Sequence, residues 1–76
     1  MNKERRKALQ TVIDNLNTHK EAIESERDAE QETYDNMPEG IQSGEKGDQA
    51  RAAIDEMDSA ISYIENAISR LETAIE

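Results

Sequence analysis

The last third of the chain repeats itself. From Ala53 it reads AIDEMDS, AISYIEN, AISRLET and AIE, a seven-residue unit run three times and begun a fourth. Ile54, Met57, Ile61, Ile64, Ile68, Leu71 and Ile75 alternate spacings of three and four, which makes them the a and d columns of a heptad. A strand would require a period of two, so the pattern predicts a helix from about Asp48 to residue 76. Ala53, Ala60, Ala67 and Ala74 stand one residue before each a position, at g. A two-stranded coiled coil places charges there to choose its partner. A small apolar residue instead widens the buried stripe to three columns, which suits a helix touching two neighbours and lets them come close. Asp58, Glu65 and Glu72 hold the opposite flank, at e.

The first half is helical with a weaker text. Leu9, Ile13, Leu16 and Ile23 form one seam, with Val12 beside it. Carried forward, the seam meets Lys20, Arg27 and Glu30 before Tyr34 and Met37. Two readings stay open. Either the period slips toward Ala22 and Ala29, or long charged side chains lie along the seam with their heads in water. A solvated surface near the loop is preferred to a buried polar network, which is costly unless fully satisfied.

Between the halves lies NMPEGIQSGEKGD. Pro38 disfavours helix at Met37 and ends the first helix there. All three glycines, Gly40, Gly44 and Gly47, fall within this break. Asp48 is expected to cap the second helix, and Ile41 to plug the end of the bundle. The chain thus divides as one domain, 1–76, with a helix over about 3–36, a loop over 37–47 and a helix over about 48–76. At 1.5 Å per residue the helices run to about 50 Å and 43 Å, and the short connection turns them back antiparallel. Charge agrees: residues 1–20 carry a net charge of +3, which sets Lys3, Arg5, Arg6 and Lys7 beside Glu65, Glu72 and Glu76. Each such exposed pair contributes less than about 1 kcal/mol, so charge favours the orientation without dictating it.

Two helices cover only one side of a three-column stripe. The fold class expected is therefore all-α: an antiparallel, coiled-coil-like helical hairpin that dimerises into a four-helix bundle. A larger ring or a hetero-complex is the alternative assembly. Ile64 and Ile68 are expected at the centre of the core.

Composition excludes several functions. Acidic residues outnumber basic ones 18 to 9, a net charge of −9, and phosphate recognition needs a basic footprint, so nucleic acid is not an expected ligand. No stretch approaches the roughly 20 apolar residues of a membrane span, and no apolar signal core follows the basic start MNKERRKALQ. A soluble protein of the host-cell cytoplasm is expected. There is no cysteine and one histidine, so zinc lacks its usual ligands, and no ExxH pattern surrounds His19. Several Ser and Thr residues exist, but only His19 could activate them. The expectation is no enzyme, no metal and no cofactor.

Candidate sites are therefore surfaces for a macromolecular partner. Residues 21–46 hold nine acidic and two basic groups, a net of −7. Within them Glu21, Glu24, Asp28, Glu32 and Asp35 form an acidic face able to steer a basic partner. An EF-hand would need a loop with a central Gly, and this run is helical. Pro38, Gly40 and Ile41 offer a loop, the commoner carrier of recognition. Tyr63, at c, points outward and is incidental unless it anchors a contact.

A resemblance completes the reading. The order of a basic start (NKERRKAL), an acidic helix ending in EQETYDNMPEG, and the tail AIDEMDSAISYIENAISRLETAIE resembles small acidic helical-hairpin proteins of bacteriophages and prophages of Gram-positive bacteria. It covers nearly the whole chain and is most specific in DNMPEGIQ. It carries no established activity and no site residue, but it implies stoichiometric binding to host machinery. The function expected is a non-enzymatic interaction module: a phage-encoded antagonist that binds itself and a host (defence) protein with a basic surface. The alternatives are a structural or assembly protein of a phage particle, an oligomeric sponge for a small signalling ligand, and an acidic DNA mimic.

Overall fold

The computed structural model describes all 76 residues and contains helices alone: α1 (Lys3–Asp35), α2 (Glu39–Gln42) and α3 (Glu45–Ala74). It is a rod of 58 × 15 × 12 Å with a radius of gyration of 17.2 Å; a compact domain of this length would have about 11 Å. No helix is long and apolar enough to cross a membrane. Asn2 caps α1 by accepting the Arg5 amide at 2.7 Å. The helix ends at Asn36, before Pro38, as the steric demand of proline on its predecessor requires.

α1 and α3 pack against each other in opposite directions. Arg27 reaches Asp58 and Tyr34 reaches Arg51, so seven residues forward on α1 match seven backward on α3. The a column of α3 faces α1: Ile54, Ile61 and Ile68 are buried, with Ala50 and, from α1, Ile13. Met57, Ile64 and Leu71, in the d column, are only half-buried. Ile68 is thus a core residue as expected, and Ile64 lies at the core's open edge.

On α1 the seam keeps its period. Leu9, Ile13, Leu16, Lys20, Ile23, Arg27, Glu30, Tyr34 and Met37 are all buried or half-buried, whereas Ala22 and Ala29 are exposed. Of the two readings left open, charged side chains along the seam is the one realised. Apolar stems pack while the heads stay wet, and no buried side-chain polar atom lacks a partner.

The connection departs from the sequence expectation. A short helix, α2, stands within the predicted loop, begun by Pro38, whose carbonyl accepts the amides of Ile41 and Gln42 at 2.9 and 2.8 Å. α3 starts at Glu45, and Asp48 is already inside it, donating its amide to the Gly44 carbonyl at 3.0 Å. Gly44 is the cap and Asp48 is not, because the helix begins one turn earlier than the apolar period shows. What permits the early start is Gly47. It is buried in the first turn of α3, and a Cβ there would sit 1.7 Å from the Gln42 carbonyl oxygen and 2.4 Å from its carbon. Only a residue without a side chain lets α2 and α3 touch backbone to backbone. Ile41 does not plug the bundle: it is 46% exposed, because α2 turns it outward.

The expected charge pairing at the open end is also corrected. Continuing the register from Arg27–Asp58 places Leu9 level with Glu76, so Lys3, Arg5, Arg6 and Lys7 extend past the end of α3. All four are exposed and none takes part in an ion pair.

Gly47→Ala should cost about 3 kcal/mol or more, because two backbones must separate. Gly40→Ala, whose Cβ would meet nothing within 4 Å, should stay within about 0.5 kcal/mol of the parent. Thermal melts followed by circular dichroism distinguish the two. Ile68→Ala should cost roughly 2–5 kcal/mol, read from urea denaturation.

Candidate interaction surface

The sides of the α1–α3 pair differ in chemistry. One flank is polar and tied together. Arg27 donates from Nε to Asp28 at 2.9 Å and from Nη1 to Asp58 across the pair. Near the loop, Arg51 donates to the Tyr34 hydroxyl at 2.7 Å and lies 5.5 Å from the centre of its ring. It also bonds Asp48 and reaches the Gln42 carbonyl at 3.4 Å. Gln42 Nε2 donates to the Tyr34 carbonyl at 3.0 Å. One guanidinium therefore links the end of α1, α2 and the start of α3. Both arginines are held above their ordinary pKa: Arg27 chiefly by its hydrogen bond to Asp28, Arg51 chiefly by its bond to Tyr34.

The opposite flank is apolar and untied. Ala22, Ile23, Met57 and Ala60 line a shallow open groove, with Glu26 and Glu56 at its rim. The groove continues along α3, where Ala53, Ala67 and Ala74 are exposed and Ile64 and Leu71 half-exposed. The third column of the stripe thus faces outward, uncovered by the chain's own fold.

The acidic candidates lie on the polar side of α1. Glu21, Glu24, Asp28, Glu32 and Asp35 are spaced by three or four, which gathers them on one stripe, across the core seam from Ala22 and Glu26. Glu24 is half-buried and the other four are exposed. Asp28 is engaged by Arg27, and Asp35 accepts from Gln31 at 2.9 Å. Glu21, Glu24 and Glu32 form no ion pair. Pro38, Gly40 and Ile41 are exposed together on α2 at the loop end, roughly along the rod from the stripe. Tyr63 is 75% exposed. His19 is exposed on α1, and no group of three or more His, Cys, Asp or Glu residues could hold a metal ion.

Two features escaped the sequence reading. The Tyr34–Gln42–Arg51 cluster spans three elements, and no local spacing signals it; only the Arg51–Asp48 contact, three residues apart on α3, is local. The groove needs the register of α1 on α3, which unites Ala22 with Ala60 only after folding. The Ala column was its one visible half.

Arg51→Ala should loosen the loop end without unfolding the rod. Amides of residues 37–44 should exchange with solvent faster by hydrogen-exchange mass spectrometry, while those around Ile61 keep their protection. Tyr34→Phe, which keeps the ring, should give a smaller change in the same segment. No protein-family model matches the chain, and no curated protein and no solved structure matches it either.

Proposed function

We propose that the chain is a non-enzymatic binding module that works as a dimer. Two hairpins join across their apolar flanks into a four-helix bundle, and each displays its acidic stripe to a protein partner with a basic surface. The observation that carries this reading is the segregation of the two chemistries. The uncovered apolar groove and the stripe of Glu21, Glu24, Asp28, Glu32 and Asp35 occupy opposite flanks, so covering one leaves the other free.

Burial energetics favour the same assembly. Only six of 76 residues are buried, a small core for a chain without disulfides. Burying the Ala, Met, Ile and Leu side chains of the open flank adds roughly 25 cal/mol for each Å² removed from water. Unpaired carboxylates on the far side then repel unsuitable partners and steer basic ones. The resemblance to phage proteins supplies the rest: the partner is a host protein, and the role is a stoichiometric antagonist of host defence in the host-cell cytoplasm.

Light scattering at micromolar concentration should return twice the 8.6 kDa chain mass; a folded monomer would refute the dimer. Capture of a partner from infected host cells should fail for the triple charge reversal Glu24→Lys, Asp28→Lys, Glu32→Lys, with helicity verified by circular dichroism. Capture by the parent protein should weaken as salt rises. If the folded triple variant captures the same partner as the parent, the stripe is only a solubilising surface, and recognition moves to Pro38, Gly40 and Ile41.

A further inference from the structure

We propose that the dimer forms through α3 packed antiparallel on α3 of the partner subunit, centred on Tyr63 and Ile64, with Glu56 of each copy against Arg70 of the other. The proposal rests on the dimeric reading above and fixes its geometry.

The first observation is the open flank of α3. Ala53, Met57, Ala60, Ile64, Ala67, Leu71 and Ala74 alternate spacings of four and three, a complete seam beside the one used against α1. None of the seven is buried. The matching column on α1 is interrupted by Asn15, His19 and Glu26, so α3 offers the better surface. Alanine at every second place allows close helix approach.

The second observation is symmetry. Reversing the direction of α3 about Ile64 exchanges Ala53 with Ala74, Met57 with Leu71 and Ala60 with Ala67. Small residues then meet small ones, and large ones meet large ones. The groove between Ala22, Ile23, Met57 and Ala60 lies where Leu71 of the partner subunit would enter. A two-fold interface requires this self-complementarity.

Charge decides the direction. Glu56, Tyr63 and Arg70 form the next column outward: each stands three residues after one alanine of the seam and four before the next. The same reversal exchanges Glu56 with Arg70 and leaves Tyr63 near the axis. A parallel pair would set glutamate on glutamate and arginine on arginine. Within the hairpin neither residue has an ion partner; Arg70 only donates to Asn66 on its own helix at 3.2 Å. Tyr63, the most exposed of the large apolar side chains, becomes an aromatic contact at the centre of the interface, where such anchors are favoured.

Sedimentation equilibrium on three variants tests the arrangement. Glu56→Arg and Arg70→Glu each replace two attractive contacts by two repulsive ones, and each should raise the dimer dissociation constant roughly tenfold. The double variant should return it to near the parent value. Both positions are exposed, so circular dichroism should show unchanged helicity. An independent readout uses the lack of native cysteine: Tyr63→Cys should cross-link efficiently with a short bismaleimide, whereas Ser62→Cys, on the far side of α3, should not. A dimer indifferent to both reversals, or one that cross-links at 62 and not at 63, overturns this arrangement and leaves the dimer itself standing. A parent protein that sediments as a monomer overturns both.

Discussion

The close approach of Gly47 to the backbone of Gln42 governs the geometry of the whole rod. It brings the start of α3 against α2 with no side chain between them, and so fixes where α3 begins relative to the end of α1. From that point the register follows in steps of seven: Tyr34 beside Arg51, Arg27 beside Asp58. A wider turn would slide α3 along α1, and Ile54, Ile61 and Ile68 would lose the seam that buries them. The heptads supply the adhesion, and the turn chooses which of several equivalent heptad alignments is used.

This division explains what the sequence made legible. α3 could be read almost residue by residue, because its a column is set by period alone and three isoleucines at that position are buried. The acidic stripe was equally visible, since spacings of three and four place carboxylates on one side of any helix. α1 was harder: Lys20, Arg27 and Glu30 occupy core columns, and apolar patterning cannot see a side chain that packs its stem and leaves its head in water. The turn was least legible. Asp48 has the chemistry of a cap, but the cap is Gly44, because a backbone contact made only in the folded chain outweighs the local preference of one residue. The pairing of the N-terminal basic cluster with Glu65, Glu72 and Glu76 failed for the same reason: the turn sets how far α1 runs past α3.

The two flanks also solve a problem of charge. A chain of net charge −9 associates with itself only if the contacting faces avoid its own acid. Here Glu21, Glu24, Asp28, Glu32 and Asp35 gather on the side where Arg27 and Arg51 partly offset them, leaving the floor of the other flank to alanine, methionine, isoleucine and leucine, with Glu26 and Glu56 only at its rim. In the proposed dimer, solubility and self-association, usually in conflict on a small surface, would fall on different sides of one rod.

The overhang of α1 gives the rod an electrical polarity. Lys3, Arg5, Arg6 and Lys7 stand at the open tip, while the acidic excess of residues 21–46 lies toward the turn. Even with Glu72 and Glu76 near the tip, the centres of positive and negative charge are separated along the 58 Å axis, so the single chain has a substantial dipole moment along its length. Placed side by side in the same direction, two such rods would oppose each other end for end. Reversed, their moments cancel, and the basic tip of each rod stands level with the acidic turn of the other.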